Sequence, residues 1–175
     1  MGKHIALLRG INVGKAKRVP MADLSALFSG LGYRDVKTLL NSGNVVFSAA
    51  KAVESKIEAA FTERFGFSSR ITLVGAEEFS GIVKDNPIAE IPDPSRFLVG
   101  FLKTESHRKL LVPMQEDAWH PEVFALGRRV AYMWCPEGVL ASPLGEAVNK
   151  ALRDSVTMRN WSTVLKLNAL AAGIR

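Results

Sequence analysis

Cys135 is the only cysteine in this chain. One thiol cannot close an internal disulfide, which fits a reducing compartment and predicts a cytoplasmic protein. Long apolar runs are lacking too. No stretch approaches the roughly 20 residues that a membrane span needs. The early apolar run Ile5-Ala6-Leu7-Leu8 is cut off by Arg9 and is too short for the core of a signal peptide. Ala6 stands where an acylated Met-Gly terminus needs Ser or Thr, so no membrane association is expected. The histidines (His4, His107, His120) are scattered, and none forms a metal-type pair with Cys135 or with another histidine. No spacing marks a nucleophile with its base. No metal and no cofactor are therefore expected.

The chain has 175 residues and a formal charge of +6. That length suits one domain or two small lobes. The charge is unevenly placed: residues 1–20 hold Lys3, Arg9, Lys15, Lys17 and Arg18 and no acid. Such a local field attracts phosphates, nucleic acid or acidic ligands, although solubility alone would also account for it.

The pattern of the first half reads β-α-β-β-α-β. Lys3 to Arg9 contains an apolar run typical of a strand buried on both faces. Met21, Leu24, Leu27, Phe28 and Leu31 recur at helical spacing between Pro20 and Gly32. Val36 to Leu40 and Asn44 to Ser48 read as strands joined by a two-residue turn at Ser42-Gly43. Val53, Ile57, Ala60, Phe61 and Phe65 form a second apolar stripe that stops at Gly66, and a fourth strand runs from Arg70 to Val74. A short helix follows, from Glu77 to about Lys84. Pro87, Pro92 and Pro94 then mark a linker.

Beyond the linker the order recurs in outline. Arg96 to Lys103 is a strand, Thr104 caps a helix to about Val112, and Val123 to Leu126 pairs with Val130 to Trp134. Ser142-Pro143 opens another helix. After it the pattern predicts a loop, Thr157 to Asn160, and a last helix from Trp161 to Ala172 in place of a fourth strand. The predicted fold class is α+β: two ferredoxin-like (βαββαβ-type) lobes, 1–86 and 95–175, joined by a linker at 87–94, the second ending in an extra helix. Leu7, Leu8, Val46, Phe47 and Ile71 are the expected core of the first sheet.

That topology brings the end of strand one, the turn between strands two and three and the start of strand four to one sheet edge. Arg9, Asn12 and Lys15 should there meet Asn41, Asn44 and Arg70. In the second lobe the same reasoning gathers Lys103, Arg128 and Arg129 and places the loop holding Arg159 and Asn160 at that end. Arg9, Asn12, Lys15, Asn41, Asn44, Arg159 and Asn160 are thus the candidate ligand-binding residues.

Each motif also has a plainer reading. Gly10-Ile-Asn-Val-Gly14-Lys15 lacks the four-residue spacing and the Ser or Thr of a nucleotide-binding P-loop, so it reads as a turn-making loop or a looser anion nest. Asn41 and Asn44 suit a ligand, but equally the tying-down of their own turn. Arg159 suits a bidentate grip on phosphate, whereas Asn160 before Trp161 suits a helix cap. Strand one carries no aromatic residue and strand three only Phe47, which argues against base-stacking recognition of RNA.

Leu8-Arg-Gly-Ile-Asn-Val-Gly14, Val19-Pro-Met-Ala22, Ser42-Gly-Asn-Val-Val-Phe47 and Arg159-Asn-Trp161 with Thr163-Val164 resemble, in this order, a bacterial family known as domain of unknown function 1697. The resemblance implies paired ferredoxin-like lobes and brings no activity with it. This chain departs from the family pattern at Lys15, where a second glycine is usual, and at Ser162, where asparagine is usual. A basic, stiffer loop results from the first change. The leading functional expectation is a protein that binds an anionic, phosphorylated small molecule or nucleotide. An enzyme using the same groove is the rival, and non-specific nucleic-acid binding through the basic face is the third and weakest reading.

Overall fold

The computed structural model describes residues 1–173. The chain divides into two compact units: Met1–Ser80 together with the chain from Leu167 on, and Gly81–Lys166. Each contains a four-stranded antiparallel sheet.

In the first sheet the strands β1 (Gly2–Leu8), β2 (Arg34–Leu39), β3 (Asn44–Ala49) and β4 (Ile71–Gly75) lie in the order β2-β3-β1-β4. That is the ferredoxin-like order, with β3 inserted between β2 and β1. Ile5 pairs with Val46 on one side and Val74 on the other. Two helices cover one face, α1 (Met21–Gly30) and α2 (Glu54–Phe65). Alternate strand residues Ala6, Leu8, Val45, Phe47 and Ile71 join Leu24, Leu27 and Phe28 of α1 and Ile57 and Phe61 of α2 in a single core. Phe47 anchors it, edge-on to Phe28 at 5.2 Å and stacked on Tyr33 at 4.6 Å. Leu7 and Val46, which alternate with this set, are also fully buried, so β1 and β3 are buried on both faces.

Local chemistry sets the helix ends. Pro20 lies at the start of α1 and supplies the carbonyl that Leu24 N–H bonds. α2 ends at Gly66, whose φ of 76° is left-handed and whose N–H returns to Thr62. The outer edge of β4 is closed from α2: the Glu58 carboxylate accepts from Ile71 N–H and that of Glu54 from Leu73 N–H, both at 2.9 Å. Carboxylates placed there use up donors that an open edge would offer another chain.

The helix α3 (Ala76–Lys84) follows β4. The second sheet has strands β5 (Phe97–Leu102), β6 (Val123–Leu126), β7 (Val130–Trp134) and β8 (Val156–Asn160), in the order β6-β7-β5-β8. Its core joins Leu98, Leu102, Ala131, Met133 and Val156 to Leu144, Val148 and Leu152 of α4 (Pro143–Leu152). Ser142 caps α4, its hydroxyl accepting from Gly145 N–H at 2.9 Å. The last helix is α5 (Trp161–Gly173).

Three sequence expectations are corrected. A fourth strand does complete the second sheet: Val156–Asn160 is β8, paired along β5, where a loop was expected. It passes directly into α5, so no turn residue separates strand from helix. The segment after Thr104 is not an α-helix but two short 3-10 turns, Glu105–Leu110 and Val112–Glu116. Pro113 lacks the N–H that a continuing α-helix would use and restricts Val112 before it. Finally, β2 and β3 are joined by four residues, 40–43, rather than two.

Candidate functional site

The loop after β1 and the turn between β2 and β3 meet at one edge of the first sheet. Backbone bonds fix the meeting point. Leu8 N–H donates to Gly43 O at 2.8 Å, and Arg9 N–H donates to Arg70 O at 2.9 Å. The Ser69 hydroxyl donates to Arg9 O at 2.8 Å. Arg9, Asn12, Asn41, Asn44 and Arg70 are therefore brought together at this edge. Gly43 is required by the approach: its φ is 87°, and a Cβ there would lie 2.8 Å from both Leu8 Cβ and Ile11 Cδ1.

Asn12 organises the loop. Its amide nitrogen donates to Val19 O at 3.0 Å and Asn41 O at 2.7 Å, while its Oδ1 accepts from Val19 N–H at 2.7 Å. Its own N–H reaches Lys17 O at 3.0 Å. Asn12 has a φ of 53°, and Gly10, Gly14 and Lys17 are also left-handed. Asparagine takes that conformation more readily than most residues, which explains its place here. Asn44 is fully buried, and its amide nitrogen donates to Leu39 O at 2.8 Å and Ser42 Oγ at 2.9 Å. The amide of Asn12 thus holds backbone, and that of Asn44 holds backbone and the Ser42 hydroxyl.

The scaffold carries several cations. Lys15, Lys17 and Arg18 are exposed, and Arg9 is half-buried. The Lys17 ammonium lies 5.9 Å from the centre of the Phe67 ring, and Arg70 pairs with Glu58 at 3.5 Å. Among the described residues neither Lys15 nor Arg18 has an ion-pair partner. Arg18 borders a shallow hollow of about 230 Å³, shared with Asn12, Val19, Pro20, Met21 and Asn41. Sequence reasoning counted Arg18 among the bases but did not single it out.

Arg159 and Asn160 lie in the second unit, on β8. Val156 is opposite Leu102 at the Lys103 end of β5, whereas Arg159 and Asn160 are opposite Val99 and Leu98, toward the other end. The expectation that they join Lys103, Arg128 and Arg129 is corrected: a strand starting at that edge carries them away from it. Arg129 spends its guanidinium on the carbonyls of Leu102 and Lys103, and Arg128 pairs with Glu105 at 2.9 Å. Asn160 caps α5, its Oδ1 accepting from Thr163 N–H at 2.9 Å. Arg159 donates to Met158 O at 2.8 Å, and burial lowers its guanidinium pKa to about 10, so it keeps its charge at neutral pH.

A larger cavity, of about 700 Å³, opens at the opposite edge of the first sheet beside Gly2, His4, Gly75 and Ala171. Its border sets the acid Glu77 beside Lys3 and His4, so it lacks the one-sided charge of the loop edge. His4 is a packing residue there, stacked on Phe47 at 5.5 Å. No group of acidic, histidine or cysteine side chains among the described residues could hold a metal ion. No helix there is long and apolar enough to cross a membrane.

The family model described as protein of unknown function, DUF1697, matches residues 1–132, which include the whole loop edge. The chain belongs to that family. A solved structure of a conserved bacterial protein from Streptococcus pneumoniae is similar to this chain: TM-score 0.80 at 21% sequence identity, over 97% of this chain and 98% of that one. At that identity the likeness concerns the fold. No curated protein matches the chain.

Proposed function

We propose that this family member is a cytoplasmic binding protein for an anionic, phosphate-bearing small molecule, held at the loop edge of its first sheet. The observation that carries the reading is the Asn12 fork, which pins a loop whose Arg18 borders the hollow and whose Lys15 and Arg18 have no ion-pair partner among the described residues. A loop already held in shape pays little ordering entropy when a ligand arrives. Arg9 supports the reading because it leaves a central strand, a firmer base than a loop tip. Asn12, Asn41 and Asn44 shape the edge, while Arg9, Lys15 and Arg18 supply charge. Arg159 and Asn160 take a structural part in this reading. The free, buried thiol of Cys135 supports a reducing compartment. Binding is favoured over catalysis because the hollow's lining holds no group that exchanges a proton near neutral pH.

The test is a thermal-shift screen with phosphorylated metabolites and nucleotides, since a ligand of the native state raises its melting temperature. At least one phosphate compound should bind. Arg9→Gln should then weaken it about tenfold or more, the worth of a charged hydrogen bond, with stability nearly intact. The reading fails if no phosphate compound binds. It also fails if Arg9→Gln is strongly destabilised yet binds as the wild type does.

A further inference from the structure

We infer that the ligand of this edge is a nucleotide, whose base rests on Val13 and Leu40 while its phosphate meets Lys15 and Arg18; this rests on the anion site proposed above. Val13 is 69% exposed and Leu40 51% exposed. Single exposed apolar residues are ordinary. These two flank one bond, because Asn12 Nδ2 donates to Asn41 O at 2.7 Å and they are the sequence neighbours of its two ends. The backbone holds Leu40 outward at a cost. Leu40 has a φ of 59°, and Val13 stands between Asn12 at 53° and Gly14 at 61°. Asparagine or glycine would fill the Leu40 position with less strain and without exposing a large apolar side chain. Strain kept at Leu40, next in sequence to Asn41 of the hollow's lining, points to use.

The hollow limits what the ligand can be. At about 230 Å³ it is smaller than the roughly 300–1,000 Å³ that encloses a whole drug-sized ligand. It takes a phosphate, and the remainder of the molecule lies outside, against whatever borders it. Cations alone would satisfy a free phosphate or a sugar phosphate. An apolar pair beside the cations adds affinity only for an anion that carries a flat apolar group, and a nucleobase is such a group.

Dissociation constants for a nucleoside monophosphate, ribose 5-phosphate and inorganic phosphate, measured by calorimetry at low salt, test this. The nucleotide should bind about tenfold more tightly than ribose 5-phosphate, the worth of burying a modest apolar contact. Leu40→Asn should remove most of that margin while raising the melting temperature, and Val13→Ser should remove part of it. Equal affinity for the nucleotide and ribose 5-phosphate would overturn the base contact and leave the anion site standing. So would full nucleotide affinity in both variants. Failure of all three compounds to bind would overturn the anion site as well.

Discussion

The side-chain amide of Asn12 donates to the backbone carbonyl of Asn41 at 2.7 Å, across 29 residues of sequence. The same side chain holds Val19 by two more bonds, one given and one received. One residue thus joins the loop after β1 both to the start of α1 and to the hairpin turn. Asn12→Ala removes all three bonds and places alanine at a φ of 53°. It should cost about 2 kcal/mol of stability, the net worth of partly exposed hydrogen bonds together with left-handed strain. Asn12→Asp keeps the acceptor for Val19 N–H but sets its other carboxylate oxygen against the Val19 and Asn41 carbonyls, so it should lose at least as much. Urea midpoints of the two variants check the ranking.

Gly43→Ala tests the closeness of hairpin and loop. A methyl group at this position meets Leu8 Cβ and Ile11 Cδ1, which sit in the core beneath the loop and cannot swing aside freely. The φ of 87° adds a backbone penalty. A loss of about 2–3 kcal/mol is expected. Gly14→Ala, at a left-handed glycine with open space around it, should cost less. Equal losses in the two variants would show that strain alone, and not the close approach, makes Gly43 necessary.

These residues also mark what could be read in advance. The first lobe was legible because its signals are local: Pro20 and Gly32 bracket α1, and Gly66 stops α2. Core residues Leu7, Leu8, Val46, Phe47 and Ile71 followed from apolar runs and are all buried. Once element order is known, the meeting of Arg9, Asn12, Asn41 and Asn44 follows from geometry. β8 was not legible. Its five residues, Val-Thr-Met-Arg-Asn, are largely polar, and Asn160 both ends the strand and caps α5. The aim of the amides was not legible either, since the Asn41 carbonyl that Asn12 meets is set by tertiary folding. Leu40 gave no signal at all, because leucine is a poor predictor of the left-handed conformation it adopts.

Tyr132 gives a pH signature within the second unit. It is buried in β7, and its hydroxyl donates to Ile82 O at 2.7 Å. Burial pushes its pKa up to about 12, with the Asp85 carboxylate acting in the same direction. The folded state therefore holds this proton more tightly than the unfolded chain, whose tyrosines titrate near 10. The contribution is complete below pH about 10 and is lost as pH rises from there toward 12. Tyr132→Phe should be the less stable protein at pH 8, by about 1 kcal/mol for the missing bond. That gap should narrow between pH 10 and 11, when only the wild type has a phenol to ionise at this position. A gap that stays constant over that interval would mean that the hydroxyl titrates alike in both states.

Cys135 reports on the opening of the second core. Its side chain is fully buried beside Leu144 and Val148, with Sγ 3.9 Å from Met133 O. Burial raises the thiol pKa to about 11; a hydrogen bond with Ser142 works against the shift, and Glu122 adds to it. The thiolate is the reactive form, so at pH 8 the native thiol is suppressed twice, by protonation and by lack of access. A disulfide reagent should label the native protein at least about a thousandfold more slowly than the urea-unfolded chain, the ratio set by the rarity of opening. Val148→Ala leaves a hole in the same cluster, lowers the cost of opening and should speed labelling about tenfold for each ~1.4 kcal/mol of stability lost. Rapid stoichiometric labelling of the wild type at pH 8 would contradict the packing of this core. If Val148→Ala is destabilised but labels no faster, the reagent reaches Cys135 by a local movement that leaves Val148 in place.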